Sequence, residues 1–107
     1  MLGPVGPIVY DGLESGVAGA KLATITPGLA RSIRVNRGVF VVSAPTGSPA
    51  AESGLMDGDV IVKVAGQEVR TVTRVAELVG LAASRGEHSV VLETLREGKP
   101  RRTVLRW

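Results

Sequence analysis

The sequence has no cysteine, a single histidine and only three aromatic residues among its 107 positions. Without cysteine it can form no disulfide, offers no thiolate nucleophile and holds no cysteine-ligated metal. A zinc site needs three or four ligands, and one histidine cannot supply them. With so few aromatic rings, the core has to consist mainly of valine, leucine, isoleucine and alanine. The length suits one domain with a modest core of this kind.

Motifs for catalysis and for nucleotide binding are also missing. His88, the only imidazole base, follows Gly86-Glu87 at the start of a predicted strand, and no serine stands in a Gly-x-Ser-x-Gly elbow. No Gly-x-Gly occurs, and Gly98-Lys99 precedes a proline where a phosphate-binding loop needs serine or threonine. The sequence therefore predicts no catalytic residues, no enzyme activity of its own and no cofactor.

Two nearby carboxylates, Asp57 and Asp59, suggest calcium at first sight. The residues that follow, Val60 to Lys63, add no oxygen ligand at the spacing of a calcium loop. Asp57-Gly58-Asp59 is typical of a turn, because glycine adopts positive φ and aspartate bonds nearby N–H groups. We therefore predict a structural role for both carboxylates and no metal site.

The charge balance is mildly basic, since thirteen Lys and Arg against ten Asp and Glu give a net charge of +3. Five basic residues crowd the C-terminal segment: Arg96, Lys99, Arg101, Arg102 and Arg106. Nucleic-acid-binding surfaces usually interleave such residues with aromatic rings, which are absent here, so we predict a solvated edge and no nucleic-acid partner. No apolar run approaches the roughly 18 residues of a membrane span.

Hydrophobic patterning predicts a mainly β protein of five or six short strands with two helices. The clearest strands are predicted over residues 17–24, 39–42, 60–64, 89–95 and 102–107, the last two paired across a loop at 97–100. A short helix is predicted to begin at Pro27 with Thr26 as its N-cap, and a longer helix to cover residues 73–84. Residues 1–15, rich in glycine and proline, are predicted to be a linker or N-terminal extension in which 7–10 suit a short edge strand.

The most informative stretch runs from Gly47 to Ile61. Ser48 is placed to cap a short helix, Pro49 suits its first position, and Gly54 can end it in a left-handed conformation. This stretch resembles the centre of a PDZ domain, whose bacterial members carry a "GSPA…AGL…GDVI" pattern. Further matching motifs are Thr26-Pro27-Gly28-Leu29-Ala30, Gly38-Val39-Phe40-Val41, Val64-Ala65-Gly66-Gln67-Glu68-Val69 and Leu95-Arg96-Glu97-Gly98-Lys99, with Ala65 where the family usually has Asn.

The resemblance covers residues 16 to 106 and is closest to the arrangement found in HtrA-type periplasmic serine proteases. It implies a PDZ-like domain over 16–107: a partly open barrel or sandwich of short strands, capped by one short and one longer helix. Such domains bind peptide chain ends and catalyse nothing themselves. It also implies a bacterial, periplasmic or otherwise extracytoplasmic setting.

The resemblance also implies a peptide-binding site. Val17-Ala18-Gly19-Ala20 matches the family's carboxylate-binding loop, in which successive backbone N–H groups point at a terminal carboxylate. The next residues, Lys21 and Leu22, would pair with the peptide as an added strand. On the long helix, the residues predicted to line the groove are Arg74, Leu78 and Leu81, and those predicted to face inward are Val75, Val79 and Ala82. The pocket for the last side chain of the peptide would be formed by Ala18, Ala20, Leu22, Leu78 and Leu81. Arg74 stands where many animal PDZ domains have a histidine that reads Ser or Thr, so an acidic or permissive preference is expected.

Two functions remain open at this point. The first is a module that captures protein C-termini or extended segments as part of a larger envelope protein or protease. The second is a structural or oligomerisation module whose groove, lined by small side chains at 17–20, is shallow or filled by the N-terminal segment. The oligomeric state is left open.

Overall fold

The computed structural model describes residues 14–107, with side chains from Gly16 onward. The strand predicted at 7–10 lies outside the described residues. The described elements are β1 (Glu14–Val17), β2 (Ala20–Thr24), α1 (Pro27–Ile33), β3 (Val39–Ser43), α2 (Pro49–Glu52), β4 (Val60–Val64), β5 (Gln67–Glu68), α3 (Val72–Ser84), β6 (Ser89–Arg96) and β7 (Lys99–Arg106).

One antiparallel sheet contains all seven strands. Its order is β1-β2-β3-β4-β6-β7, and β5 pairs with Lys63 and Val64 at the end of β4. The prediction of a mainly β fold with one short and one longer helix is confirmed, although the strand count is higher than predicted and α2 adds a single helical turn. Among the helices of residues 14–107, none is long and apolar enough to cross a membrane.

All three helices begin at the residue types expected for helix caps. Thr26 Oγ1 accepts a hydrogen bond from Leu29 N (3.2 Å), and Ser48 Oγ accepts one from Ala51 N (3.2 Å). Thr71 Oγ1 does the same for Arg74 N (3.1 Å) at the start of α3. These bonds satisfy backbone N–H groups that have no partner inside the helix, which is why the short α1 and α2 form where they do.

The core lies between α3 and the face of the sheet that α3 covers. Valine and leucine dominate it, as the shortage of aromatic residues requires. Its most completely buried apolar side chains are Leu22, Val39, Val41, Ile61, Val64, Val69, Val75, Leu92 and Leu105. On α3 the buried positions are Val72, Val75, Leu78 and Ala82, which lie on one face of a helix at 3.6 residues per turn.

The strand predicted over 17–24 is wrong as a single element, because the chain reverses within it. Ala18 (φ 52°) and Gly19 (φ 84°) form a two-residue turn, and Val17 then pairs with Ala20 in a hairpin. Two successive positive φ angles match the tight hairpin turn whose twist suits the flanking strands, with glycine at its second position. The loop predicted at 97–100 is likewise a two-residue turn, Glu97-Gly98.

Candidate functional site

The predicted site lies where β2 faces α3, and β1 occupies the space between them. β2 pairs with β3 along one edge and with β1 along the other, both antiparallel. α3 packs against β1 as well as against β2. The edge of β2 on which the sequence predicted an added peptide strand therefore carries residues of the chain itself.

The predicted carboxylate-binding loop is the tight turn of this hairpin, and it docks on α2. Ala18 O accepts a hydrogen bond from Ala50 N (3.0 Å). A Cβ placed on Gly19 would lie 2.7 Å from Cβ of Ser48, closer than such atoms approach one another. Glycine at this position thus serves two needs, a positive φ and a close approach to the first residues of α2.

Three of the five predicted pocket residues lie in the same buried core as Val17. Ala20, Leu22 and Leu78 belong to the same buried cluster as Val17, and Ala18 packs against that cluster from its edge. Val17 itself is only 8% exposed. The side chain of Val17, the last residue of β1, is therefore buried in the core that also holds three of the residues predicted to receive the last side chain of a ligand.

The two other predicted groove residues on α3 lie outside this cluster. Leu81 is 46% exposed, whereas Leu78, predicted to share its face, is buried with the inward set. The guanidinium of Arg74 donates to Gln67 Oε1 (2.8 Å) on β5 and contacts Glu77 Oε1 (3.4 Å) on the solvent side of the helix. Lys21, on β2, is exposed.

A buried ion pair, which the sequence did not reveal, fixes the position of α2. Asp59 is 1% exposed, and its two carboxylate oxygens accept from Arg96 Nε (2.8 Å) and from the same guanidinium's terminal nitrogen (2.9 Å). That nitrogen also donates to Gly54 O (2.8 Å), just beyond α2. The hydrogen bond with Asp59 raises the pKa of Arg96, so the arginine is charged throughout the ordinary pH range.

Asp57 has the predicted structural role as well, since its Oδ1 accepts from Ala44 N at 2.8 Å. Asp59 also accepts from Met56 N (3.0 Å), which closes the turn before β4. The two carboxylates thus hold the segment between α2 and β4. Because the turn at Ala18-Gly19 contacts Ser48 and Ala50 at the start of α2, the bonds that hold the segment after α2 position the predicted binding loop indirectly.

Another groove, of about 530 Å³, is lined by residues of β4, β6 and β7. Four basic residues and one acidic residue line it, together with an apolar floor: Arg37, Lys63, Arg101, Arg102 and Glu93, with Val62, Leu95 and Pro100. None of the predicted site residues is among them. It contains no histidine, so it offers no imidazole base for a serine or threonine.

A family model described as "PDZ domain" matches residues 40–96. The chain therefore belongs to the PDZ domain family, and the resemblance noted in the sequence is confirmed. The matched segment runs from β3 through α2, β4, β5 and α3 to the end of β6.

Among curated proteins, the chain is similar to parts of HtrA-type serine proteases. The magnetosome formation protease MamE of Paramagnetospirillum magneticum is 39% identical over 89 residues, which is 78% of this chain and 12% of that protein. The putative serine protease HhoB of Synechocystis is 34% identical over 77 residues, 63% of this chain and 18% of that protein. This chain therefore spans less than a fifth of either relative.

Solved structures of HtrA-type proteins are similar to this chain as well. The PDZ domain of HtrA3, bound to a phage-derived ligand (FGRWV), superposes with a TM-score of 0.71 at 28% identity, covering 87% of this chain and 85% of that one. The HtrA-type protease AlgW with a decapeptide gives a TM-score of 0.67 at 27% identity, covering 87% of this chain and 29% of that one. The fold is thus that of PDZ domains solved with bound peptides.

Proposed function

We propose that this chain is a peptide-binding module of a larger HtrA-type protease, and that extended segments bind as an added strand on the outer edge of β2. The observation that carries the proposal is β1 itself. It lies antiparallel on that edge, against α3, with its last side chain buried in the cluster of Ala20, Leu22 and Leu78. An edge that holds a strand of the chain in this way is suited to hold a strand from another protein.

The HtrA3 complex suggests the chemistry of the ligand. Its pentapeptide ends in valine, and β1 also ends in a valine, Val17. A ligand of this chain would place a small apolar last side chain beside Leu78 and its carboxylate at the N–H groups of the loop Val17-Ala18-Gly19-Ala20. Lys21 and Leu22 would pair with its backbone, and Leu81 would add apolar surface at the rim.

Arg74 would favour an acidic side chain two residues before the end of the ligand. Its guanidinium is half exposed and bonded to the neutral Gln67 and the exposed Glu77, so it can turn to a ligand at little cost. An arginine at that ligand position, as in the pentapeptide FGRWV, would meet a like charge. Replacing it by aspartate should therefore strengthen binding, and Arg74→Ala should remove the preference.

The larger protein is proposed on the strength of the relatives. Those similar to this chain are mainly serine proteases, and they include a "probable periplasmic serine endoprotease DegP-like" protein of Chlamydia muridarum, 32% identical over 77 residues. We infer an extracytoplasmic location and a role in recruiting or sensing substrates. The module itself would be non-catalytic.

A purely structural module is the second candidate, and one observation favours it: the edge of β2 is already occupied by β1. A domain whose groove is permanently filled by its own strand would position the neighbouring domains of the larger protein and bind no free chain end. The two candidates differ in whether any peptide gains access to β2.

The test is a titration of the chain with labelled Phe-Gly-Arg-Trp-Val, once as the free acid and once as the C-terminal amide, followed by fluorescence polarisation. We expect the acid to bind at least about tenfold more tightly, because a charged acceptor at backbone N–H groups is worth roughly 1.5–3 kcal/mol. Equal binding of the two forms would indicate strand addition without carboxylate capture. Absence of binding at millimolar peptide, also after removal of residues 1–15, would favour the structural module.

A further inference from the structure

Two strands cannot occupy one edge, and β1 already occupies the edge proposed for the ligand. Its register is regular, from Glu14 opposite Ala23 to Val17 opposite Ala20. We propose that residues 14–17 act as an internal competitor, which an incoming peptide has to displace before it can bind. This inference rests on the proposed function and adds a means of regulating it.

The orientation of β1 is that of a ligand. It runs antiparallel to β2, and its C-terminal end reaches the turn at Ala18-Gly19. A peptide that enters with its carboxylate at this loop would run the same way and bury its last side chain where Val17 lies. β1 differs from a free peptide in one respect. The carbonyl carbon of Val17 is bonded to Ala18, so β1 has no terminal carboxylate. A free chain end therefore has one charged interaction that the internal strand lacks.

β1 is held weakly enough to be displaced. It has four residues, and of its two described side-chain positions only Val17 is buried, since Gly16 is exposed. A short strand at the edge of a sheet opens at a lower free energy than the strands of the core, and a glycine within a strand lowers stability further. A minor state in which β1 has left β2 is expected to be populated to about 0.1–10%.

The apparent affinity is the intrinsic affinity multiplied by the fraction of molecules in the open state. We therefore expect residues 14–17 to weaken peptide binding by about 10-fold to 1,000-fold.

A disulfide across β1 and β2 tests this in the full chain. Gly16 and Lys21 are partners in the register, one step from the turn, and both are exposed. They form a pair of the non-hydrogen-bonded type, whose Cα separation of about 4.5 Å suits a disulfide. A Cβ on Gly16 would have only Ala20 O nearby, at 3.8 Å. The native sequence has no cysteine, so Gly16→Cys with Lys21→Cys creates a single possible bridge.

The matched control is a bridge of the same type elsewhere in the sheet. Val91 and Val104 are register partners on β6 and β7, also at a non-hydrogen-bonded position, and they are remote from the predicted site residues. Val91→Cys with Val104→Cys therefore introduces a comparable disulfide without restraining β1. We expect the Gly16–Lys21 bridge to reduce binding of Phe-Gly-Arg-Trp-Val at least tenfold and reductant to restore it, whereas the control binds alike in both redox states.

A shortened chain that begins at Gly16 provides the opposite perturbation. It lacks Glu14 and Ser15, which pair with Ala23 and Leu22 on the edge proposed for the ligand, and it keeps Val17, which belongs to the predicted loop and to the core cluster. Its fold is checked by thermal unfolding. We expect it to bind the pentapeptide at least tenfold more tightly than the full chain. If it binds no more tightly, or if the oxidised bridge leaves binding unchanged, internal competition is wrong while peptide binding stands. If neither the shortened chain nor the reduced variant binds the peptide, both the proposed function and this inference are overturned.

Discussion

The contact between the hairpin turn and α2 can be measured by comparing two glycines that differ in little else. Gly19 and Gly66 each follow an alanine with φ of 52°, and their own φ angles are 84° and 79°. Alanine at either position has to adopt the left-handed region, at a cost of about 1 kcal/mol. At Gly66 the added methyl group has nothing within 4 Å, whereas at Gly19 it would lie 2.7 Å from Cβ of Ser48.

The expected losses of stability follow from these surroundings. Gly66→Ala should lower the free energy of unfolding by about 1 kcal/mol. Gly19→Ala should add an overpacking cost of about 1–3 kcal/mol, because Ser48 belongs to a capped helix and cannot move freely. For a domain of this size each kcal/mol corresponds to about 4–8 °C in melting temperature.

Urea denaturation of the two variants beside the parent chain provides the measurement. Gly19→Ala should also weaken peptide binding, while Gly66→Ala should leave it unchanged, because Gly66 lies in the turn between β4 and β5. Equal losses of stability in the two variants would refute the argument that the turn docks on α2 at this distance.

Four further substitutions test other parts of the structure, each by urea denaturation. Arg96→Met should destabilise by about 3 kcal/mol, since it leaves the carboxylate of Asp59 buried without its ion-pair partner; a loss below about 1 kcal/mol would contradict that role. Thr94→Val should stabilise by about 1 kcal/mol, because Thr94 Oγ1 is buried with no hydrogen-bond partner among the described residues, and destabilisation would show that a partner exists. Leu78→Ala should lower the free energy of unfolding by about 2–5 kcal/mol and Leu81→Ala by less than about 0.5 kcal/mol, because only Leu78 is buried. Similar losses in the two variants would contradict this difference in burial.

The sequence predicted the interior strands and the long helix well, because their signals are strong. The valine-rich runs of β3 and β4 suit buried strands, and the apolar spacing along α3 predicts a helix within one residue of its observed start at Val72. The hairpin at Ala18-Gly19 was missed, although the same dipeptide forms the turn between β4 and β5 at Ala65-Gly66. Ala65-Gly66 leads into the polar pair Gln67-Glu68, whereas Ala18-Gly19 interrupts an otherwise continuous apolar segment.

The positions of the predicted site residues within the fold could be derived only in part from the sequence. The loop and β2 follow from motif order, but helical spacing alone cannot decide whether Leu78 or Val79 completes the stripe of Val75 and Ala82. In the structure Leu78 is fully buried and Val79 only partly. A groove filled by the N-terminal segment was one of the alternatives left open by the sequence. The pairing of β1 with β2 was not predicted, because it depends on a turn that carries a single glycine as its signal.

The central claim is that an external peptide takes the place of β1 on β2. The most direct measurement is NMR of the isotope-labelled chain lacking residues 1–15, with intermolecular NOEs to unlabelled Phe-Gly-Arg-Trp-Val. We predict NOEs from the peptide backbone to Ala20–Thr24 and from its last valine to Leu78. NOEs to Lys63, Glu93 and Arg102 instead, in the groove on the other part of the sheet, would contradict the account.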